Sequence, residues 1–366
     1  MPSDAAPPPR DRAARHAAGL RDERTRASRQ FADGVFHNAA PTPRTVEGGA
    51  LPLLRELLFG GQARRPPAPL PIERPHAAWA RRSDTGLRAT WLGHSTVLLE
   101  LDGHRVLTDP VFGPRASPVG FLGPRRFHPV PATLAELPPI DLIVLSHDHY
   151  DHLCRPTMTA LARTGVPGVT PLGVGAHLER FGWAPDRVTE LDWHEAVDVG
   201  GLRVTATPAQ HFSGRRPGAR DSTLWASWVI ESARRKVFFS GDTGLTPQLA
   251  AIGQAHGPFD LVMLEIGAYH PAWGAIHLGP ANALDAFAML GGGTLLPVHW
   301  GTFSLGLHAW DDPGETLVRL AAERGARIVT PRLGAAFEPD QLDGPTPWWR
   351  EVGARRVPAR LAAARG

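Results

Sequence analysis

The chain has 366 residues, 42% hydrophobic and 20% charged, with a net charge of only +3 and one cysteine, Cys154. That apolar content supports a packed core and excludes wholesale disorder; the lone cysteine excludes an internal disulfide and a cysteine-rich zinc finger. All but one of the 39 cationic residues are Arg, and they form no patch interleaved with aromatics, so no nucleic-acid partner is expected.

Residues 1–85 read as an N-terminal extension, partly disordered, with helix expected over Ala13–Arg29 and a Pro-rich arm (Arg64–Pro71) laid over the domain that follows. No apolar run in the first thirty residues resembles a signal peptide, and no stretch approaches the roughly 20 apolar residues of a membrane span. A cytoplasmic location is therefore expected, with peripheral membrane contact and a homodimer left open. From Gly86 the texture changes. Leu87–Leu92, Thr96–Leu101 and Arg105–Thr108 alternate as strands, the last two joined at Asp102-Gly103. Ile140–Ser146 is almost wholly apolar, as a strand buried on both faces should be. Further strands are predicted at Leu202–Thr207, Trp225–Ile230, Lys236–Ser240, Leu261–Glu265, Thr294–Val298 and Arg327–Thr330. Helices are predicted at Thr157–Thr164, Thr246–His256, Pro280–Leu290 and Pro313–Arg324, the last with Asp312 as N-cap, Pro313 at N1 and Gly325 as its stop. Strands come in groups before each helix, which fits two stacked sheets with helices outside (an α+β, four-layer αββα sandwich) better than a doubly wound sheet. The domain spans 86–340, and 341–366 is expected to be a basic, loosely held tail.

Chemistry concentrates at the strand ends. Directly after Ile140–Ser146 comes His147-Asp148-His149-Tyr150-Asp151-His152, whose imidazoles and carboxylates are the ligands zinc takes when thiolates are absent. One ion cannot be wrapped by all four at this spacing. Two neighbouring ions can share them, His147 and His149 on one, Asp151 and His152 on the other. His211, Asp242 and His299 each follow a predicted strand in the same way, and loops at strand ends converge on one sheet edge. Asp242, with two oxygens, is the natural bridge. His94 and Asp109 are candidates to orient the ligands from outside, and Cys154 reads as a small buried residue rather than a thiolate ligand.

His-x-His-x-Asp-His, a lone His, Gly-Asp-Thr-Gly and a late His together resemble the metallo-β-lactamase superfamily. The strings Trp91–Thr96, Leu107–Pro110, Arg115–Pro118, Gly123–Phe127, Leu137–Asp141, Glu190–Trp193, Ile266–Tyr269 and His299–Phe303 resemble, more narrowly, the N-acyl-phosphatidylethanolamine-hydrolysing phospholipase D family. The resemblance implies an αββα fold and a zinc phosphodiesterase with two Zn²⁺ per chain. It places His147, His149 and His211 on one zinc and Asp151, His152 and His299 on the other, with Asp242 bridging. It puts Tyr150 and His277 on the substrate side; Ile276 and His270 depart from the family pattern there.

The reading of the site is attack of a metal-bound hydroxide on phosphorus, with Asp151 and Asp242 orienting it and His277 holding phosphate or protonating the leaving oxygen. The expected partner is a phospholipid or another phosphodiester. Two alternatives use the same fold: a lactonase or other ester hydrolase, and a di-iron redox protein. The intact His149 counts against the second.

Overall fold

The computed structural model describes residues 9–42, 55, 62–216, 218–270, 273, 275–342 and 344–354. The chain enters through α1 (Pro9–Ala27), a two-residue-per-strand hairpin of β1 (Phe31–Ala32) and β2 (Val35–Phe36), and the short α2 (His76–Trp79). A first sheet follows: β3 (Leu87–Gly93), β4 (Thr96–Leu101), β5 (His104–Thr108), β6 (Leu142–Val144), β7 (Gly168–Pro171) and β8 (Val188–Leu191). Helices α3 (Arg155–Leu161) and α4 (Gly175–Arg180) sit in its crossovers. The second sheet is built from β9 (Ala196–Val199), β10 (Leu202–Thr207), β11 (Ser227–Glu231), β12 (Lys236–Phe239), β13 (Leu261–Glu265) and β14 (Thr294–Val298), with α5 (Gln248–His256) and α6 (Gly279–Met289) in its crossovers and α7 (Asp312–Arg324) after it. Finally β15 (Ala336–Phe337) returns to pair with β3 in the first sheet, and α8 (Trp349–Ala354) ends the described chain.

The sheets run β15-β3-β4-β5-β6-β7-β8 and β14-β13-β12-β11-β10-β9. Both are mixed. Strands β5 to β8 are mutually parallel, as are β12 to β14, so each sheet sends several C-terminal strand ends to one edge. Strand alternation fixes the layers. Val97, Leu99, Leu142 and Val144 enter the core shared with Trp228, Ile230 and Phe238 of the other sheet. Their neighbours Leu98, Ile143 and Leu145 enter a second cluster with Met158, Leu161 and Leu178 beneath α3 and α4. The β6 run is thus buried on both faces, as its continuous apolar sequence requires.

Several boundaries differ from the sequence reading. Asp312 does not cap α7; the helix starts at Asp312 with Asp311 as N-cap, and the Asp312 carboxylate instead accepts the Tyr269 hydroxyl proton. Arg327–Thr330 forms only an isolated parallel bridge, Ile328 to Leu295. Strands β7, β8 and β9 went unpredicted; β7 reads Gly-Val-Thr-Pro, two breakers in four residues, and becomes a strand because it lies between β6 and β8. The tail is not loose where it is described: Trp348 and Trp349 are fully buried, packing against Trp300, and Trp348 also against Trp91. The tail's last Arg residues, Arg355, Arg356, Arg360 and Arg365, lie outside the described residues.

Candidate metal centre

Each candidate ligand stands just past the end of a strand. His147–His152 follow β6, Pro208–His211 follow β10, Asp242 follows β12 and His299 follows β14. Tight backbone geometry aims them. Asp109 and His299 adopt left-handed φ values of 33° and 63°, and His94, after β3, one of 54°; such conformations are tolerated by Asp and His and concentrate at functional sites. Gly241, at φ 54°, lets the turn before Asp242 pass against the β6 end, because a Cβ there would lie 2.4 Å from the Cβ of Ser146.

All seven candidates are brought together. His147 Nε2 lies 2.8 Å from His149 Nδ1, and His211 Nε2 lies 3.3 Å from that same atom. On the other side, Asp151 Oδ2 lies 3.4 Å from His152 Nε2 and 3.3 Å from His299 Nε2. Asp242 sits between the two groups: Oδ1 is 3.2 Å from His152 Nε2, while Oδ2 is 3.1 Å from His299 Nε2, 3.7 Å from His211 Nε2 and 3.9 Å from His147 Nε2.

The donor set fits metal ions. His211 gives its Nδ1 proton to the Ile276 carbonyl (3.0 Å) and His147 faces Ser146 Oγ with Nδ1 (2.9 Å), so two Nε2 lone pairs converge on a third ring nitrogen. His152 Nε2 and Asp242 Oδ1 are buried and make no hydrogen bond despite their proximity. A buried polar atom without a partner is costly, and here a cation supplies one. Charge tells the same story. Burial keeps His147 and His211 well below the usual imidazole range. Burial also opposes ionisation of Asp151 and Asp242, but the imidazoles beside them, His152 first and His299 with it, together outweigh it and hold both carboxyls well below the usual range. Against the same burial, Asp242 and Asp151 push His299 up to about 10. Two carboxylates, Asp242 buried and Asp151 largely so, thus demand positive charge at this point.

Residues outside the cluster hold it in register. Asp109 accepts from His152 Nδ1 (2.7 Å), the Ser146 amide (2.7 Å) and the Ser146 hydroxyl (2.5 Å). His94 orients a carboxylate rather than an imidazole, with Nε2 2.9 Å from Asp151 Oδ2. Glu265, at the end of β13, escaped the sequence reading. It is fully buried; Oε1 accepts from the Leu278 amide (2.8 Å) and His277 Nδ1 (3.1 Å), and Oε2 lies 4.0 Å from His299 Nδ1. The signal was a carboxylate closing an apolar run, the same pattern that marks the other site strands.

His277 stands at the edge of the cluster. Its ring centroid is 5.1 Å from that of His211 and 5.4 Å from that of His299, and it leaves α6 without a side-chain cap. Tyr150 points elsewhere: its hydroxyl donates to the Arg215 carbonyl, Arg215 stacks on its ring at 4.1 Å, and it lines a cavity of about 710 Å³. Cys154 is buried with Val111, Ala116 and Phe303.

Comparison with known proteins agrees with this geometry. A family model described as a beta-lactamase superfamily domain matches residues 104–300, more than half the chain. The chain belongs to the metallo-β-lactamase superfamily and is a metal-dependent hydrolase of it, with His/Asp clusters consistent with a binuclear metal site. Within the superfamily it is 37% identical to the N-acyl-phosphatidylethanolamine-hydrolyzing phospholipase D 1 of Caenorhabditis elegans, over 70% of this chain and 77% of that protein. It is 44% identical to an uncharacterized protein of Mycobacterium tuberculosis over 88% of each. Igni18, a metallo hydrolase from Ignicoccus hospitalis, shares the fold with a TM-score of 0.54 at 24% identity, over 69% of this chain and 98% of that one.

Proposed function

We propose that the protein is a binuclear zinc phosphodiesterase of the phospholipase D type, acting on N-acyl-phosphatidylethanolamine-like phospholipids. One observation carries the reading: two ligand groups flank Asp242, while His277 stands beside them with its Nδ1 engaged by Glu265. A donor set of imidazole and carboxylate without thiolate suits zinc, and the Caenorhabditis elegans relative is named for hydrolysis of that lipid.

His147, His149 and His211 would hold one ion, Asp151, His152 and His299 the other, with Asp242 shared. A bound zinc pair supplies water of lowered pKa and offsets charge on the phosphate. In the reaction a water oxygen bonds to phosphorus and the bond from phosphorus to the head-group oxygen breaks, yielding phosphatidate and an N-acylethanolamine. His277 Nε2 would give its proton to the departing oxygen, while its Nδ1–H stays hydrogen-bonded to Glu265 Oε1 and keeps the ring from turning. Tyr150, which points away from the cluster, would contact the lipid only from the cavity it lines.

The test is release of N-acylethanolamine from N-acyl-phosphatidylethanolamine by the purified chain. Chelation should abolish it and zinc should restore it. Faster turnover of lactones or carboxylic esters than of phosphodiesters would overturn the reading.

A further inference from the structure

Among the described residues, five large hydrophobic side chains are exposed, and three fall within four positions: Val119 (37%), Phe121 (82%) and Leu122 (65%). Isolated exposed apolar residues are ordinary, but a contiguous cluster at the tip of one loop marks an interaction surface. The loop is held at its neck. Arg115 and Arg125 pair as an antiparallel bridge, the Ala116 amide donates to the Pro124 carbonyl at 3.1 Å, and the Arg126 amide to the Pro114 carbonyl at 2.9 Å. Arg115 closes it from inside, Nε donating to the Gly120 carbonyl (3.0 Å) and an Nη to that of Gly123 (2.7 Å). A tip so braced keeps its apolar side chains outward, because the neck's polar groups are already satisfied.

The inner side of the loop supplies the second observation. Ser117, Val119 and Gly120 line the 710 Å³ cavity that Tyr150 also lines, and Arg155, Arg180 and Arg216 stand around it. These three guanidinium groups are exposed, and none has a carboxylate partner among the described residues; Arg155 lies over the Phe181 ring instead. An apolar wedge beside unpaired cations matches a surface of anionic headgroups over acyl chains. It matches a second protein chain less well, since Arg155, Arg180 and Arg216 outnumber the one exposed carboxylate lining the cavity, Asp22.

We infer that the loop tip Val119–Leu122 inserts into a bilayer containing anionic phospholipid, with Arg155, Arg180 and Arg216 seated on the headgroups, so that the cavity lined by Tyr150 opens at the lipid surface. The inference rests on the phospholipid reading above for its purpose, not for its physics.

The test uses the zinc-loaded full chain, vesicles of equimolar phosphatidylcholine and phosphatidylserine, and a sedimentation assay run beside hydrolysis of a water-soluble aryl phosphodiester. The native chain should bind, more weakly as salt rises. Phe121→Ser with Leu122→Ser should weaken binding roughly 100-fold, as expected for two apolar side chains kept from lipid, while aryl phosphodiester hydrolysis and zinc content stay unchanged. Arg155→Gln with Arg180→Gln and Arg216→Gln should weaken binding and remove most of its salt dependence. Equal binding by the native and Phe121/Leu122 variant chains overturns the inference. So does a native dimer that the tip variant turns into monomer without any lipid binding, because the patch is then a self-association surface. Tip-dependent vesicle binding by a chain that hydrolyses no phosphodiester would sink the proposed reaction and leave the docking surface standing.

Discussion

At the scale of single residues, His277 is the group proposed to act on substrate rather than to hold metal. His277 touches no carboxylate of the cluster; its Nδ1 is taken by Glu265. His277→Ala should therefore keep its metal and its melting temperature yet lose roughly 10²–10⁴-fold in kcat on a diester with a poor leaving group, and much less on an aryl diester that needs no proton. Metal loss in that variant would reassign His277 as a ligand. Glu265 makes a sharper case. One of its oxygens bonds His277 Nδ1 and the other faces His299 Nδ1 at 4.0 Å, so one buried carboxylate holds the His277 ring and confronts a candidate ligand. Glu265→Gln keeps the shape and can still accept from the Leu278 amide, but its amide can donate toward His299 Nδ1 and so favour the wrong tautomer. We expect a metal affinity lower by roughly 10–100-fold, read by competition with a chromogenic chelator, with little change in KM. Unaltered affinity and rate would reduce Glu265 to a packing residue.

At the scale of elements, α1 is informative because its composition suggests an extension that could be removed freely. Its Arg21 reaches the domain instead, with Nε 2.5 Å from Glu190 and an Nη 2.5 Å from Glu179. Burial pushes the Glu190 carboxyl above its usual range even with Arg21 beside it, and its other oxygen accepts from the Gly173 and Gly175 amides at 2.7 and 3.0 Å. Arg21→Ala would leave that carboxylate buried without its countercharge. A loss of about 2–4 kcal/mol in a denaturant melt is expected, and deletion of residues 1–30 should cost at least as much. A truncated chain that melts like the full one would show that the helix merely rests on the surface. The Trp348-Trp349 pair repeats the lesson at the other end, where a tail that reads as basic and loose packs into the core.

At the scale of the whole molecule, the sandwich and the metal cluster are separable. The core that joins the sheets, from Trp91 through Val144 to Phe238, contains no candidate ligand. Asp151 and Asp242 also have His152 and His299 as charged neighbours. Metal removal should therefore lower the melting temperature by roughly 5–15 °C, the linkage expected of a tightly bound ligand, without unfolding the chain at room temperature. Calorimetry of chelated and zinc-loaded protein checks this, and loss of near-ultraviolet circular dichroism on chelation would show instead that the ions organise the fold.

The sequence by itself determined the pattern of chemistry: that Ile140–Ser146 is a strand buried on both faces, and that His147, His149, Asp151, His152, His211, Asp242 and His299 each follow a strand. Those facts are local, since periodicity and residue type suffice to state them. Only the tertiary structure decided which oxygen of Asp242 faces which imidazole, because that depends on four strand ends from two sheets meeting at one edge. It alone supplied Glu265, whose role exists only where β13 brings it between His277 and His299. It also made β7 a strand against its own Gly and Pro, and exposed Phe121 and Leu122 where burial would be expected, since ladder partners and solvent exposure are properties of the packed molecule and not of any stretch of chain.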